Sequence, residues 1–457
     1  MKLTLSEILQ SPQARQGQDE RESFFPTSPK SLEDTGLNRI LVEDLICKLL
    51  LAHGSLSGRE ISRYIALPLQ IISDLLYELK QRLILAYQDV AGVSDFDYVL
   101  TETGREKALL ARQQSAYMGA APVPFAEYLK SVESQVIQNE QPNEAQLRQA
   151  LNGLILPEDF YGLLGPAINS AKGLFLFGDP GNGKTEVATR IAECYAETIY
   201  IPKTLLVEGH LIQLYDPRCH IQVDDVPGDE DKGKIQDLRW LHIKRPAVVV
   251  GGEMDLDSLE IGFNGQTGIC EASLQLKGNS GVFVVDDFGR QRIGPDKILN
   301  RWILPLEKSI DYLTLPDGSK VQVPFNAFLV FCSNYDPSKL LEEAFLRKIP
   351  YKIHMGDPGE KEFITIFRQS AEKMGIQYDS DLADYLLTKY FRGIRNIRGC
   401  HPRDILRQLT HIARYENREP EMTRSDLDKA VQLYFSVMDG SLGAGEMQDF
   451  AEETKLE

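Results

Sequence analysis

A glycine-rich stretch at residues 178–185 combines residue types that bind phosphate groups. Its sequence, GDPGNGKT, follows the apolar run GLFLF and precedes the helix-forming segment EVATRIAECYA. Glycines allow the tight turn in which several backbone N–H groups converge on phosphate oxygens, and the positive end of the following helix dipole points at them. In this spacing the lysine reaches the β- and γ-phosphates, and the threonine hydroxyl ligates Mg²⁺. The motif predicts a site for ATP and Mg²⁺ formed by Gly178, Asp179, Pro180, Gly181, Asn182, Gly183, Lys184 and Thr185.

Two carboxylates, Asp286 and Asp287, follow the apolar run GVFVV. An apolar run that ends in two acids is typical of a buried strand, and in open α/β sheets ligands bind at the carboxyl ends of the strands. Beside a phosphate-binding loop, we expect Asp286 to hold the Mg²⁺ and Asp287 to orient the attacking water.

Three later segments complete a family pattern. The strand-like FLVFCSN ends in Asn334, AFLRKIP contains Arg347, and HPRDIL contains Arg403. With the glycine-rich stretch and the acidic pair, these segments resemble the motifs of AAA+ ATPases over residues 151–438. The resemblance implies that Asn334 lies near the γ-phosphate and that Arg403 contacts the nucleotide from a helical lid. It also implies that Arg347 is an arginine finger acting on a neighbouring subunit.

The position of Asp287 departs from that pattern. AAA+ ATPases usually carry Glu there, and the side chain of Asp is one methylene shorter. We therefore expect either that the carboxylate of Asp287 approaches the water differently or that hydrolysis is slow. A nucleotide-gated scaffold with weak hydrolysis stays open as an alternative.

Residues 253–276 and 312–323 are two segments with the pattern of β-hairpins, because polar and apolar residues alternate around glycine-containing turns. Both look like the insertions of the helix-2-insert branch of AAA+ proteins, which includes the MoxR-type ATPases. In that branch, hairpins line the pore of a ring and contact the client. The region is also similar to bacterial chaperone-like ATPases associated with Flp pilus loci. Surface hairpins that contact no client remain the alternative.

Short apolar runs alternate with helical segments from residue 151 to 355, and these elements must position the residues above. Such runs imply a parallel sheet covered by helices on both faces. Residues 356–438 have helical periodicity and form the expected lid, while residues 439–457 are expected to be a flexible tail. The predicted fold class is α/β, a P-loop NTPase core of the AAA+ type with a C-terminal helical lid. The runs expected in the sheet are GLFLFG, TIYIP, AVVVGG, GVFVVDD and AFLVFCS.

Residues 1–150 divide into three segments. Residues 1–36 lack periodicity and are expected to be a flexible arm. In residues 37–115, three helical patterns precede two strand-like runs, which resembles the winged-helix family. The third helical pattern, at residues 68–82, has as many acidic as basic residues, so protein docking is favoured over DNA reading. Residues 116–150 contain three prolines and are expected to be a linker.

The composition favours protein partners in the cytoplasm. A net charge of −17 disfavours nonspecific coating of DNA or anionic lipid. No run approaches the ~18–20 apolar residues that cross a bilayer, so no membrane insertion is expected. The six cysteines include no C-x-x-C pair, which indicates reduced thiols.

Together these features predict an ATPase that assembles into a homo-oligomeric ring, a hexamer by family resemblance. It is expected to hydrolyse ATP in order to remodel or chaperone a protein assembly. An ATP-dependent regulator that binds DNA through the winged helix stays open as the alternative.

Overall fold

The computed structural model of the chain describes residues 24–92, 95–223 and 234–435. The predicted tail at residues 439–457 and most of the predicted arm lie outside these ranges. Within them, the helices are all too short or too polar to span a membrane.

Residues 37–115 form a helical unit closed by an antiparallel sheet of order β1-β3-β2. Its elements are α1 (Arg39–His53), β1 (Ser55–Ser57), α2 (Gly58–Ile65), α3 (Leu69–Gln81), β2 (Leu85–Gly92), β3 (Asp95–Leu100) and α4 (Glu102–Gln114). The carboxylate of Asp95 accepts from the backbone N–H groups of Gly58 and Arg59, which ties β3 to the start of α2. The unit contains the three predicted helices and the predicted hairpin, with β1 in addition.

Residues 116–150 are a packed part of the fold, and the expected linker is wrong. They form β4 (Val123–Pro124), α5 (Phe125–Ser134) and α6 (Glu144–Ala150), and α7 (Glu158–Ser170) follows. Val123 pairs with Leu205, and Tyr128 is buried. Pro124 lies directly before α5, where its missing N–H leaves no helical hydrogen bond unmade, so it precedes a helix instead of interrupting one.

Residues 24–36 also contact the rest of the chain, so the expected flexible arm is wrong for this part. The rings of Phe24 and Trp240 have centroids 5.3 Å apart, and those of Phe25 and Tyr200 5.7 Å apart. Thr27 forms a β-bridge with residue 236. The aromatic side chains hold this segment because they find aromatic partners on the surface they cross.

The middle of the chain contains a five-stranded parallel sheet in the order β10-β13-β16-β5-β17. The elements from residue 173 to 354 are β5 (Gly173–Phe177), α8 (Lys184–Arg190), β6 (Thr198–Pro202), β7 (Thr204–Val207), β8 (His210–Gln213), β9 (Trp240–Lys244), β10 (Ala247–Val250), β11 (Gly262–Asn264), β12 (Ile269–Glu271), α9 (Leu274–Lys277), β13 (Val282–Val285), α10 (Pro295–Lys308), β14 (Ile310–Thr314), β15 (Lys320–Pro324), β16 (Phe328–Ser333), α11 (Pro337–Leu340), α12 (Glu343–Leu346) and β17 (Tyr351–His354). One face of the sheet packs on α7 and α8, and the other packs on α10. The predicted three-layer αβα core is therefore confirmed.

One run expected in this sheet, TIYIP, lies elsewhere. It is β6, which pairs antiparallel with β9. Thr198 is exposed and Tyr200 is half-buried, so one face of β6 meets solvent. That burial suits an antiparallel pair, whereas the strands of a parallel sheet are buried on both faces. The fifth place in the sheet belongs to β17, which pairs with β5.

A second β-unit lies beside the parallel sheet and contains both predicted hairpins. Its five-stranded sheet has the order β11-β12-β8-β7-β4 and includes the first hairpin, β11–β12. The second hairpin, β14–β15, is a separate two-stranded sheet. Both hairpins contact other parts of the same chain. The N–H of Ala116 donates to the carbonyl of Thr267 (2.7 Å), and the carboxylate of Asp317 lies 3.7 Å from His210 Nε2.

The C-terminal part is helical, as predicted. Its elements are α13 (Glu360–Lys373), α14 (Ser380–Tyr390), α15 (His401–Tyr415) and α16 (Arg424–Phe435). Their apolar faces form a separate core in which Phe363, Phe367 and Phe391 are buried. This core is separate from the two cores that pack on the faces of the parallel sheet, so the four helices form a body of their own.

Candidate functional site

The glycine-rich loop joins β5 to α8 at the carboxyl end of the parallel sheet. Gly178 has φ +143°, and a Cβ at this position would lie 2.2 Å from the carbonyl oxygen of Met355. Gly183 has φ +89° and directly precedes α8. The loop can follow this path only with residues that lack a side chain at these points, because other residues rarely adopt such angles.

Lys184 is buried at the first position of α8. Its Nζ donates to the carbonyls of Gly178 (2.9 Å) and Asp179 (2.8 Å), so the ammonium lies under the loop. Burial lowers the pKa of Lys184, while the nearby carboxylates of Asp179 and Asp286 oppose that shift. The ammonium has a third proton that can be donated to a phosphate oxygen at the loop.

Thr185 and Asp286 meet although about a hundred residues separate them in sequence. The hydroxyl of Thr185 donates to Asp286 Oδ1 at 2.8 Å. Both offer oxygen atoms, the ligands that Mg²⁺ prefers, and Mg²⁺ commonly binds one or two protein groups together with phosphates and water. No cluster of three or more His, Cys, Asp or Glu side chains suited to a metal occurs in the described ranges. The pair therefore fits Mg²⁺ bound together with a nucleotide.

Asp287 lies beside Asp286 in a left-handed backbone conformation, with φ +48°. The side-chain amide of Asn334, which follows β16, donates to Asp287 Oδ1 at 3.2 Å. Gln291 holds the turn, because its Nε2 donates to the carbonyls of Asp286 (2.9 Å) and Asp287 (3.3 Å). Asp is among the residues that tolerate this conformation best. Gln291 is not among the residues predicted from the sequence, because no local pattern identifies it.

A cavity of about 840 Å³ lies between the parallel sheet and the C-terminal helices. A volume of this size is within the range of small-molecule sites. Its lining combines polar side chains with the apolar side chains of residues 154–156 and Ile366. Burial raises the pKa of the Cys332 thiol in the wall, so this side chain stays uncharged at neutral pH. The predicted site residues that line the cavity are Pro180, Gly181, Asn182, Gly183, Lys184, Thr185, Asp286, Asp287, Asn334 and Arg403.

The two predicted arginines lie in different places. Arg403, near the start of α15, lines the cavity and pairs with Asp404 at 3.0 Å. Arg347, directly after α12, is outside the cavity lining. Its side chain is 77% exposed and pairs with Glu343 at 2.9 Å. Gly178 and Asp179 accept from Lys184 without lining the cavity. The structure therefore brings the predicted site residues together within one chain, except for Arg347.

Comparison with known proteins gives limited similarity. Residues 359–433 match a family described as "Domain of unknown function (DUF8689)". This match covers most of the C-terminal helices. No curated protein matches the chain.

Two solved structures illustrate the structural similarity. A RuvB mutant from Thermotoga maritima matches 65% of this chain and 72% of its own, with 12% identity and a TM-score of 0.33. NtrX from Brucella abortus in complex with ATP matches 72% of this chain and 63% of its own, with 13% identity and a TM-score of 0.36. The strand order of the parallel sheet and the geometry of the glycine-rich loop define the fold. The chain has a P-loop NTPase αβα core, followed by a helical C-terminal part.

Proposed function

We propose that this chain is an AAA+ ATPase that binds ATP between its core and its helical lid and hydrolyses it to remodel a protein assembly. The observation that carries the proposal is the meeting of four segments at one cavity. These segments are the glycine-rich loop, the carboxylates after β13, Asn334 after β16 and Arg403 on α15. Their chemistry suits binding and cleavage of a nucleoside triphosphate.

The loop would bind the phosphates through its backbone N–H groups and Lys184. The carbonyls that now accept from the ammonium belong to the loop itself, so a phosphate at the loop lies within reach of the same group. Mg²⁺ held by Thr185 and Asp286 would neutralise charge on the phosphates. The apolar side chains of residues 154–156 and Ile366 in the cavity lining would then receive the base.

Asp287 is the group we assign to the attacking water. Its Oδ1 accepts from the amide of Asn334, which leaves Oδ2 to accept a hydrogen bond from water. Asn334 thus orients the carboxylate that orients the water. Asp287 is shorter than the usual Glu, and the fixed turn held by Gln291 determines how far its carboxylate reaches.

Arg347 supports a shared site between subunits of a homo-oligomeric ring. Its guanidinium is exposed and pairs with Glu343, an exposed residue of the preceding short helix. Exposed ion pairs of this kind contribute about 0–1 kcal/mol, so the arginine can exchange Glu343 for a phosphate of a neighbouring subunit at little cost. The family resemblance gives six as the number of subunits.

The N-terminal unit is proposed to be a winged helix that docks a protein. The exposed residues of α3 include no lysine or arginine; they are Leu69, Gln70, Ser73, Asp74, Tyr77 and Gln81. Lys80 is half-buried and lies over the ring of Tyr87 at 4.2 Å. Affinity for DNA comes mainly from neutralising phosphates with lysine and arginine, so this face favours a protein partner.

Lys184→Ala tests the proposal most directly. The variant loses the ammonium that faces the loop, so we expect ATP–Mg²⁺ binding to fall below detection in calorimetry while circular dichroism shows a folded protein. Lys172→Ala is the matched control, because Lys172 is exposed just before β5 and is expected to leave ATP affinity unchanged. A Lys184→Ala protein that binds ATP–Mg²⁺ as tightly as the parent would exclude this site.

A further inference from the structure

The side chain of Asn182 connects the glycine-rich loop to two segments of the C-terminal part. Its Nδ2 donates to Asp357 Oδ1 (2.8 Å) and to the carbonyl of Gly356 (3.3 Å). Its Oδ1 accepts from the backbone N–H of Gly399 (3.0 Å). Both amide donors and one acceptor position are therefore used. These partners define which way the amide points. In a flipped amide, the oxygen would face the two acceptor oxygens of Gly356 and Asp357, and the NH2 group would face the N–H of Gly399.

The two contacted segments are those on which the orientation of the lid depends. Gly356 and Asp357 belong to the connection between β17 and α13, where the parallel sheet ends and the lid begins. Gly399 lies two residues before the start of α15, the helix that carries Arg403, and Cys400 is the N-cap between them. Asn182 thus links the phosphate-binding loop both to the base of the lid and to the helix that brings an arginine to the cavity.

The loop and the lid also touch through their backbones. A Cβ at Gly399 would lie 3.3 Å from the carbonyl oxygen of Gly181, and a Cβ at Gly181 would lie 2.4 Å from Cys400 Sγ. Gly181 has φ +87°, which favours glycine independently. This close contact and the hydrogen bonds of the Asn182 amide together connect the loop to the segment that begins α15.

We propose that Asn182 is a positioning residue that holds the lid, and with it Arg403, in place over the phosphate-binding loop. Asp357 can only accept a hydrogen bond as a carboxylate, so it requires the NH2 group of Asn182 to point towards it. Asn182 acts through Arg403 and the lid, not through the reacting atoms. This inference rests on the proposed ATPase function, because the position of Arg403 matters only if the cavity holds a nucleotide.

An exchange of the two side chains tests the contact. Asn182→Asp places a carboxylate opposite the carboxylate of Asp357 and removes the donor. The variant loses a charge-assisted hydrogen bond and places two carboxylates side by side, so we expect kcat to fall about 10-fold or more. Asp357→Asn alone keeps an oxygen acceptor and should have a smaller effect. The double variant N182D/D357N restores one amide facing one carboxylate, and we expect it to recover at least about half of the loss on a logarithmic scale.

Separate readouts distinguish a positioning role from a merely structural one. Asn182→Ala should lower kcat at saturating ATP more than it lowers ATP affinity, measured as a Kd by calorimetry. Hydrogen exchange at the amide of Gly399 should become faster in this variant without nucleotide. A positioning residue predicts the kcat loss and the exchange change together.

Three outcomes would overturn the inference. One is a double variant as slow as Asn182→Asp, and another is unchanged exchange at Gly399 in Asn182→Ala. The third is an Asn182→Ala variant whose kcat equals that of an active parent protein. A wild-type protein that neither binds nor hydrolyses ATP would instead refute the proposed function itself, and the inference with it.

Discussion

Asp287 combines a left-handed backbone with a short carboxylate. Its φ of +48° turns the side chain back towards Asn334, whose amide holds one carboxylate oxygen. Gln291 occupies the carbonyls of this turn. The reach of the carboxylate is therefore set by the turn as much as by the side-chain length, and rate measurements on Asp287 report on both.

We expect Asp287→Asn to keep ATP binding and to lose turnover. An amide cannot take a proton from water, and general-base groups contribute roughly 10²–10⁴-fold. Steady-state phosphate release should fall by about 100-fold or more, with the ATP Kd within a few-fold of the parent. Unchanged phosphate release in this variant would mean that another residue orients the water.

Asn334→Ala provides the matching comparison. If Asn334 acts through Asp287, its removal lowers kcat by about 10-fold in the parent and adds little in the Asp287→Asn background. Fully additive losses in the double variant would assign Asn334 an independent role. The comparison needs only kcat values from the four proteins at saturating ATP.

Single residues were predictable where one local motif contains the chemistry. Lys184, Thr185 and Asp286 belong to short segments whose spacing indicates their roles, and the structure places Thr185 next to Asp286. Gln291 and Asp357 were missed. Their contacts are made with backbone or side-chain atoms that no spacing rule connects, and Asp357 meets Asn182 from far along the chain.

At the scale of elements, α15 begins with a buried histidine. His401 lies among the rings of Phe391, Tyr434 and Phe435, and its Nδ1 accepts from the backbone N–H of Arg398 at 3.1 Å. Burial lowers the pKa of His401 from 6.5 to about 4, and the positive charge of Arg398 acts in the same direction. The folded lid therefore contains neutral His401 at neutral pH.

This lowered pKa predicts how lid stability depends on pH. The unfolded chain binds a proton near pH 6.5, whereas the folded lid resists it until about pH 4. The contribution of His401 to lid stability is complete above pH 6.5 and is lost as the pH falls towards 4. We expect thermal unfolding of the lid to shift to lower temperature between pH 7 and pH 4.5. His401→Gln should flatten this shift, and an identical pH dependence in the variant would exclude His401 as its source.

The predicted elements were wrong in segments where the apolar character of the sequence did not match the burial of the residues in the structure. TIYIP is apolar enough for the parallel sheet, yet exposed Thr198 makes it one-sided and it pairs with β9. Residues 116–150 were expected to be a linker because of their prolines, although Tyr128 and Val132 sit at helical spacing and are buried. In both segments the decisive fact is which face meets another element.

At the scale of the whole molecule, Arg347 belongs to a surface and not to the cavity of its own chain. Arg347→Ala should therefore leave ATP affinity nearly intact and remove hydrolysis, since such fingers contribute about 10³–10⁵-fold in related phosphoryl-transfer enzymes. Lys348, which pairs with Glu307 at 2.7 Å, is the neighbouring control. Lysine lacks the planar fork of arginine, so Lys348→Ala should reduce hydrolysis far less.

Mixing two inactive proteins makes this test independent of the single variant. Arg347→Ala supplies intact glycine-rich loops, and Lys184→Ala supplies intact fingers. Some interfaces in a mixed assembly join one of each, so part of the ATPase activity should return. Mixtures that co-assemble, as shown by differential tagging, and still remain inactive would refute the shared site.

The strand order of the parallel sheet has a consequence for protein synthesis. Neighbours in β10-β13-β16-β5-β17 are never consecutive in the chain. The strand before the glycine-rich loop, β5, pairs with β16 and β17, so it emerges from the ribosome long before either partner. Its buried Phe175 and Leu176 stay without their final neighbours during that time. Such delayed pairing favours aggregation and chaperone binding. The strand β5 is thus synthesised before the other strands of the parallel sheet, yet it reaches its final pairing only after β16 and β17 have been made.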